Sequence, residues 1–215
     1  MSETVIREEK EADYRKVEEL TKKAFWNVNV PGCEEHYLLH CMRNHKDFIP
    51  ELDLVLETDG KIIGHVAYVK AHLVDEEGNE KEILTFGPLS VHPEYQRKGY
   101  GKRLLKYSFE KAQEMGYDVI AIFGNPENYF CIGFKSAKKY NVSCGEDRVF
   151  PVAFLVKELK AGVLQGKSWT YKDSEALSYD SSKVEEFDKD FEYMEKAYRP
   201  SQELFYIYSK SSVIW

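Results

Sequence analysis

Residues 89–105 read Leu-Ser-Val-His-Pro-Glu-Tyr-Gln-Arg-Lys-Gly-Tyr-Gly-Lys-Arg-Leu-Leu, and the fold turns on this stretch. A strand-like run that begins at Glu82 ends at Val91, a loop carries Gly99 and Gly101, and a helix begins at once. Leu104, Leu105, Tyr107, Ser108, Phe109, Ala112 and Met115 recur at helical spacing, and Gly116 closes the helix. At such a junction several backbone N–H groups lack partners and converge with the positive end of the helix dipole, a geometry that binds phosphate. Glycine at 99 and 101 lets an anion approach the backbone without a Cβ in the way. Arg97, Lys98, Lys102, Arg103 and Lys106 add five cations with no acid among them.

That cluster reverses the sign of the whole chain, in which 30 Lys+Arg face 37 Asp+Glu for a net charge of −7. The balance argues against a nucleic-acid coat or a polybasic membrane surface, so the anion site is local. The 215 residues, 43% hydrophobic and 14% aromatic, suit one globular domain or one domain with an extension, and exclude disordered and low-complexity classes. Cys33, Cys41, Cys131 and Cys144 form no CxxC pair and read as reduced thiols. Met1-Ser2-Glu3 opens into charged sequence and no apolar run approaches the ~20 residues of a bilayer span, so a cytoplasmic chain without leader or anchor is expected.

Working outward, Thr4–Arg7 reads as a strand, and Val17, Leu20, Ala24 and Phe25 mark a helix after Asp13. A second, shorter helix falls within 33–45, where Glu34, Glu35 and His36 crowd the first turn and Tyr37, Leu38 and Cys41 share a face. Strand-like runs at Leu52–Leu56 and Lys61–Ala71 meet at the turn dipeptide Asp59-Gly60, and Glu82–Val91 follows Gly78-Asn79, making an antiparallel meander. Val119–Phe123 is a continuous apolar strand, buried on both faces, that completes a β-α-β unit. A helical turn near Asn128–Ile132, Gly133-Phe134 and a strand around Val152–Val156 come next. The expected fold class is α/β (α+β): a mixed, mostly antiparallel twisted sheet flanked by helices over residues 1–159, with residues 160–215 packed on it as a C-terminal extension. In that extension Val184, Phe187, Phe191, Met194 and Tyr198 stand at near-helical spacing.

Two familiar phosphate loops fail. A Walker loop needs Ser or Thr after Gly-Lys, where Arg103 stands, and a glycine five residues before Gly101; a dinucleotide fingerprint needs glycine at 104, where Leu stands. The run Gly87-Pro88-Leu89-Ser90-Val91-His92-Pro93, followed by Gln96-x-x-Gly99-x-Gly101 and an amphipathic helix, resembles the central motif of the GNAT superfamily of acyl-CoA N-acyltransferases, in a bacterial subgroup with this strand end. Gly124-Asn125-Pro126-x-x-Tyr129-x-x-x-Gly133-Phe134 is similar to the Tyr-x-x-x-Gly-Phe element those enzymes carry after their fifth strand. The likeness covers roughly residues 4–157.

The resemblance implies an N-acetyltransferase that passes acetyl from acetyl-CoA, its cosubstrate, to a primary amine of a small molecule or peptide, with no metal. It implies that the backbone of Leu89 and Val91 holds the pantetheine arm like an added strand. Arg97, Lys98, Gly99, Tyr100, Gly101 and Lys102 would cradle the pyrophosphate, and Asn125 would either touch the cofactor or cap the next turn. Gly87-Pro88 would form the bulge that parts strands four and five. Tyr129 would protonate the departing thiolate, since a phenol of pKa about 10 still carries its proton at neutral pH. For the base the resemblance gives no fixed position. Glu34, Glu35, His36, Glu51 and His92 are candidates, with Glu35 and His36 favoured because the analogous helix walls the acceptor cleft, and a water relay competes with them. A non-catalytic CoA-binding sensor or interaction module is the alternative, and a polyanion-binding helix a further one.

Other constellations are set aside. Cys33, His36, His40, Cys41 and His45 lack the Glu of HExxH and a distant ligand pair, so a metal is not expected. No GxSxG is present, and Cys131 reads as a buried, inert thiol. The late aromatics Trp169, Tyr171, Tyr179, Phe187, Phe191, Tyr193, Tyr198, Phe205, Tyr206, Tyr208 and Trp215 suit core packing first, an acceptor wall or a homodimer interface second. The acidic run Glu185, Glu186, Asp188, Asp190 and Glu192 reads as a solvated helix face.

Overall fold

Turn chemistry lays out the sheet. Asp59 and Gly60 both take positive φ, 50° and 74°, the conformation of a two-residue hairpin, and join β2 (Leu54–Thr58) to β3 (Lys61–Asp75). A loop through Gly78 (φ 86°) returns the chain into β4 (Glu80–Val91). The computed structural model describes residues 4–145 and 147–214, so the expectations for Met1–Glu3 and Trp215 lie outside the described residues. β1 (Thr4–Glu8) pairs with β2, and the order runs β1-β2-β3-β4-β5-β8-β6, with β5 at Val119–Phe123, β6 at Lys135–Ser136 and β8 at Phe154–Glu158. Neighbours are antiparallel except β4 and β5. The sequence put the strands one or two residues away from these bounds at several ends, and ended β3 four residues early.

Three strands escaped the sequence reading: β6, β7 (Val142–Cys144) and β9 (Trp169–Lys172), each too short for alternation to register. β9 pairs with β3 at His72–Asp75, where β2 no longer follows it, and runs parallel to β7. The late segment thus contributes a strand of the sheet itself.

Helices cover both faces. α1 (Tyr14–Phe25) and α2 (Glu35–Met42) bury Val17, Leu39 and Met42 against Val55, Ala67 and Val69. α3 (Tyr100–Glu114) buries Leu104, Leu105, Phe109 and Ala112 against Leu56, Val66, Leu84 and Ile120 on the other face. A buried polar network ties the ends of β1 and α2, the start of β2, and residues of α1 and β3 together. Arg43, just past α2, donates from Nε and Nη2 to the Glu9 carboxylate at 3.1 and 2.9 Å and from Nη1 to Glu18 at 2.7 Å. His65 Nε2 lies 2.7 Å from Asp53 Oδ1 and 3.9 Å from Glu9. These residues are far apart in sequence, and nothing in their local spacing announces the cluster.

The near-helical pattern over 184–198 is a correction. Only α5 (Val184–Asp188) is helical there, and the next helix is α6 (Ser201–Lys210). The reason is competition for carbonyls: Asp190, Glu192 and Glu195 give theirs to Arg15, Lys22, and Trp26 with Asn27. The Phe191 ring is buried beneath the Arg15 guanidinium, 3.6 Å away. Core packing holds for Trp169, Tyr171 and Phe191, whereas Tyr193, Tyr198, Phe205 and Tyr206 are exposed. Nor is the acidic run purely solvated, because Asp188 Oδ1 meets Lys22 Nζ at 2.7 Å and His36 Nε2 at 3.1 Å. Cys131 also corrects the reading: the 3-10 turn Phe130–Ile132 buries Ile132 and turns the thiol outward.

Two buried histidines make stability depend on pH. Burial above all holds His36 and His65 down, each to about 4 from 6.5. The folded chain therefore keeps both neutral while the unfolded chain protonates them, so the contribution of these two residues to stability is fully present above pH 6.5 and is lost as the pH falls towards 4. Urea midpoints at pH 7 and 5 should differ in that direction, and His36→Gln should flatten the slope.

Candidate active site

The site begins where β4 and β5 part. Val66 faces Leu89 and Tyr68 faces Phe86, so β4 carries one residue more than β3 between them, at the expected Gly87-Pro88 bulge. Proline lacks a ladder N–H, which favours the irregularity there. β4 meets β5 at a single register position, Leu84 opposite Ile120. Past it, the β4 edge from Thr85 to Val91 has no strand partner on the β5 side among the described residues, leaving backbone groups open in a wedge.

At the end of that edge the chain makes a 3-10 turn, Pro93–Tyr95, and the Gln96 side chain donates back to the Val91 carbonyl at 3.0 Å. Arg97 and Gly99 both sit in the left-handed region, φ 60° and 87°, which curls the loop before α3. The amides of Arg97, Lys98 and Gly99 donate to no other protein group among the described residues. Arg97, Lys98, Gly99 and Lys102 are exposed, and Tyr100 and Gly101 half-buried. Gly101 passes close to Val91: a Cβ there would stand 3.4 Å from Val91 Cγ2. Free amides, the α3 terminus and the cations together suit a diphosphate.

On the β5 side, Asn125 Oδ1 accepts from the Glu127 amide at 3.0 Å and caps α4 (Pro126–Tyr129). Its oxygen is therefore used in the turn. Tyr129 at the end of α4 packs between Phe86 of β4 and Phe134, with ring centroids 5.9 and 5.7 Å away. Burial pushes its phenol up to about 12. Its ring lies over Gly124, where an added Cβ would come within 2.6 Å of Cε2. Nothing in the sequence marked Gly124 as more than a turn residue, since this contact arises only from the fold.

The base candidates occupy quite different settings. The His36 ring is fully buried, with Nε2 on Asp188, Nδ1 3.6 Å from Cys33 Sγ, and Phe187 and Phe191 against its faces. Glu35 is half-buried. It accepts from Asn29 Nδ2 at 3.1 Å and the Glu34 amide at 3.0 Å, and burial raises its pKa. Glu34 accepts from Tyr179 Oη at 2.8 Å. His92 caps the 3-10 turn by accepting from the Glu94 amide, and Glu51 is exposed. Among the described residues, Glu9, Asp53 and His65 are grouped closely enough to ligate a metal, but the Arg43 guanidinium already balances the charge there.

A sheet forced open between parallel strands, beside a glycine-bearing loop lined with free amides, defines an acyl-CoA N-acyltransferase architecture. Residues 17–134 match the acetyltransferase (GNAT) family, more than half of the chain, and the chain belongs to that family. It is 29% identical over 133 residues to a protein named uncharacterized N-acetyltransferase YhbS of Escherichia coli K12, covering 60% of this chain and 77% of that one. It is 28% identical over 109 residues to one named uncharacterized N-acetyltransferase YjhQ of the same strain, covering 51% and 56%. The crystal structure of Escherichia coli YhbS in complex with CoA superposes with a TM-score of 0.70 over 82% of this chain and 93% of the other, at 24% identity. A GNAT acetyltransferase from Brucella melitensis in complex with acetyl-CoA gives 0.64, at 22% identity over 82% and 99%. The sheet and its flanking helices are those of this fold. No helix among the described residues is long and apolar enough to cross a membrane.

Proposed function

We propose that this chain transfers acetyl from acetyl-CoA to a primary amine by direct attack. The observation that carries the reading is the unpaired β4 edge running into the free amides of Arg97, Lys98 and Gly99. Leu89 and Val91 hold the pantetheine arm by their backbone. Arg97 to Lys102 hold the pyrophosphate, and the NH2 end of the Asn125 amide remains for the cosubstrate. The amine nitrogen bonds to the thioester carbon, β4 amides polarise the carbonyl oxygen, and the C–S bond breaks as Tyr129 Oη passes its proton to sulfur. The proton lost by the amine leaves through Glu35 or a water beside it. His36, enclosed with both ring nitrogens engaged, orders the α2 wall instead.

Titration calorimetry with CoA tests the cosubstrate. Heat of binding is expected, and it should weaken when Gly99→Val places a branched side chain at φ 87°. Absence of heat with the unmodified chain would remove the reading. Gly124→Ala tests the geometry of Tyr129, because the new methyl must push the ring aside. A displaced donor should lower kcat about tenfold to a hundredfold while CoA binds as before.

A further inference from the structure

The late segment does more than pad the sheet. Among the described residues, α6 is tied to the rest of the chain by hydrogen bonds at its two ends and not between them. At its start Ser201 Oγ donates to the Val28 carbonyl at 2.8 Å and Gln202 Nε2 to the Asn27 carbonyl at 3.1 Å. Asn27 is itself the hub of this joint: its Oδ1 accepts from the Gly32 and Ala197 amides and its Nδ2 donates to Glu195. Just past the other end, Ser211 and Ser212 pair with residues 151–152, and the Val213 amide donates to Phe150.

These anchors stand on opposite sides of the wedge. The α1–α2 loop lies at the C-terminal end of β4, because Thr21 of α1 shares a hydrogen bond with Ser90. Residues 150–153 lead into β8, whose Phe154 faces Phe123, the C-terminal residue of β5. A ten-residue helix, about 15 Å long, therefore bridges the mouth between the parted strands. It touches little on the way. Leu204, Phe205, Tyr206 and Ile207, which point to four sides of a helix, are 50%, 41%, 62% and 53% exposed. Gln202 is buried and Tyr208 half-buried, so the face they share with Phe205 looks inward. That face does not reach a packed core. The rim is apolar too: Val28 and Val30 in the α1–α2 loop, Phe123 at the end of β5 and Phe130 after Tyr129 are all exposed.

Resting on the acetyl-transfer reading, we infer that α6 is a strap roofing the acceptor entrance, and that Phe205 and Tyr208 on its inner face select amines carrying an aromatic or bulky apolar group near the nitrogen. An apolar body bound there covers surface that otherwise faces water, and the rim residues complete its enclosure. Two amines serve as probes, 2-phenylethylamine and ethanolamine. Calorimetry on the CoA-saturated protein should show binding of the first, lost in the double variant Phe205→Ala/Tyr208→Ala, whose exposed and half-buried positions spare the core. In thiol release from acetyl-CoA, kcat/KM should favour the aromatic amine by about tenfold or more. The double variant should bring the ratio near one through a fall in kcat/KM for the aromatic amine, with the acetyl-CoA KM unchanged. Binding without thiol release would sink the transfer reading but keep the strap. No binding by the unmodified protein, a preference that survives the substitutions, or a dimer in sedimentation that the same substitutions dissociate would each overturn the inference.

Discussion

Tyr129→Phe is expected to lower kcat by about 10²-fold or more, with the KM for acetyl-CoA changed by less than about twofold. The substitution removes one oxygen and keeps the ring that packs between Phe86 and Phe134, so the wedge keeps its shape. On the proposed mechanism, what disappears is the proton given to the leaving sulfur. Because burial pushes the phenol up to about 12, the donor stays protonated at neutral pH. Its deprotonation should not appear as an alkaline limb of the kcat profile below that value. Steady-state thiol release over an amine panel, together with CoA calorimetry on the same variant, separates the two parameters. Equal turnover in the variant would take the acid out of the mechanism while leaving the binding loop intact.

Arg43→Ala should cost about 3–5 kcal/mol of stability, a large share of the roughly 5–15 kcal/mol that holds a domain together. The Arg43 side chain is enclosed, stacks 4.1 Å over Tyr14, and meets Glu9 with two nitrogens and Glu18 with a third. Cutting it back to Ala leaves the buried Glu9 and Glu18 carboxyl groups without this donor. Glu9 is the more exposed to this loss in energetic terms: burial already drives it up, to about 8, against the pull of His65 and Arg43. Its folded-state pKa lies above the unfolded one, so it stabilises the fold at low pH and ceases to do so as the pH rises through about 8. Without Arg43, whose charge holds the Glu9 pKa down, this dependence extends to higher pH, and Glu9→Gln in the variant background should restore part of the loss. Urea or thermal unfolding measures both. A melting midpoint for Arg43→Ala within about 1 °C of the unmodified chain would show that the network carries no net stability.

Legibility followed the range of the interaction. The hairpin at Asp59-Gly60, the α3 face from Leu104 to Ala112 and the Gly87-Pro88 bulge are written within a few residues, through backbone sterics and periodicity, and they were readable. The loop between β4 and α3 was readable for the same reason, since its glycines are nearly contiguous with the ends of both elements. His36 shows the limit. The family resemblance placed it on the helix that walls the acceptor cleft, yet Asp188, 152 residues later, and two phenylalanines close over it. The helix expected across 184–198 failed likewise, because α1 side chains claim the carbonyls that would have propagated it.

By itself, then, the order of residues determined a meander, a β-α-β unit and a glycine-bearing loop between strand and helix, because each depends on local dihedral preference and on which face of a strand or helix is apolar. Only the tertiary structure decided where Tyr129 rests against Gly124, how Arg43 reconciles Glu9 with Glu18, and that α6 is tied to the α1–α2 loop at its start and to residues 150–152 just past its end. Those outcomes depend on which distant groups meet once the chain has collapsed. Competition for buried hydrogen bonds and contact surface settles that pairing, and no short window of sequence contains all of the competitors.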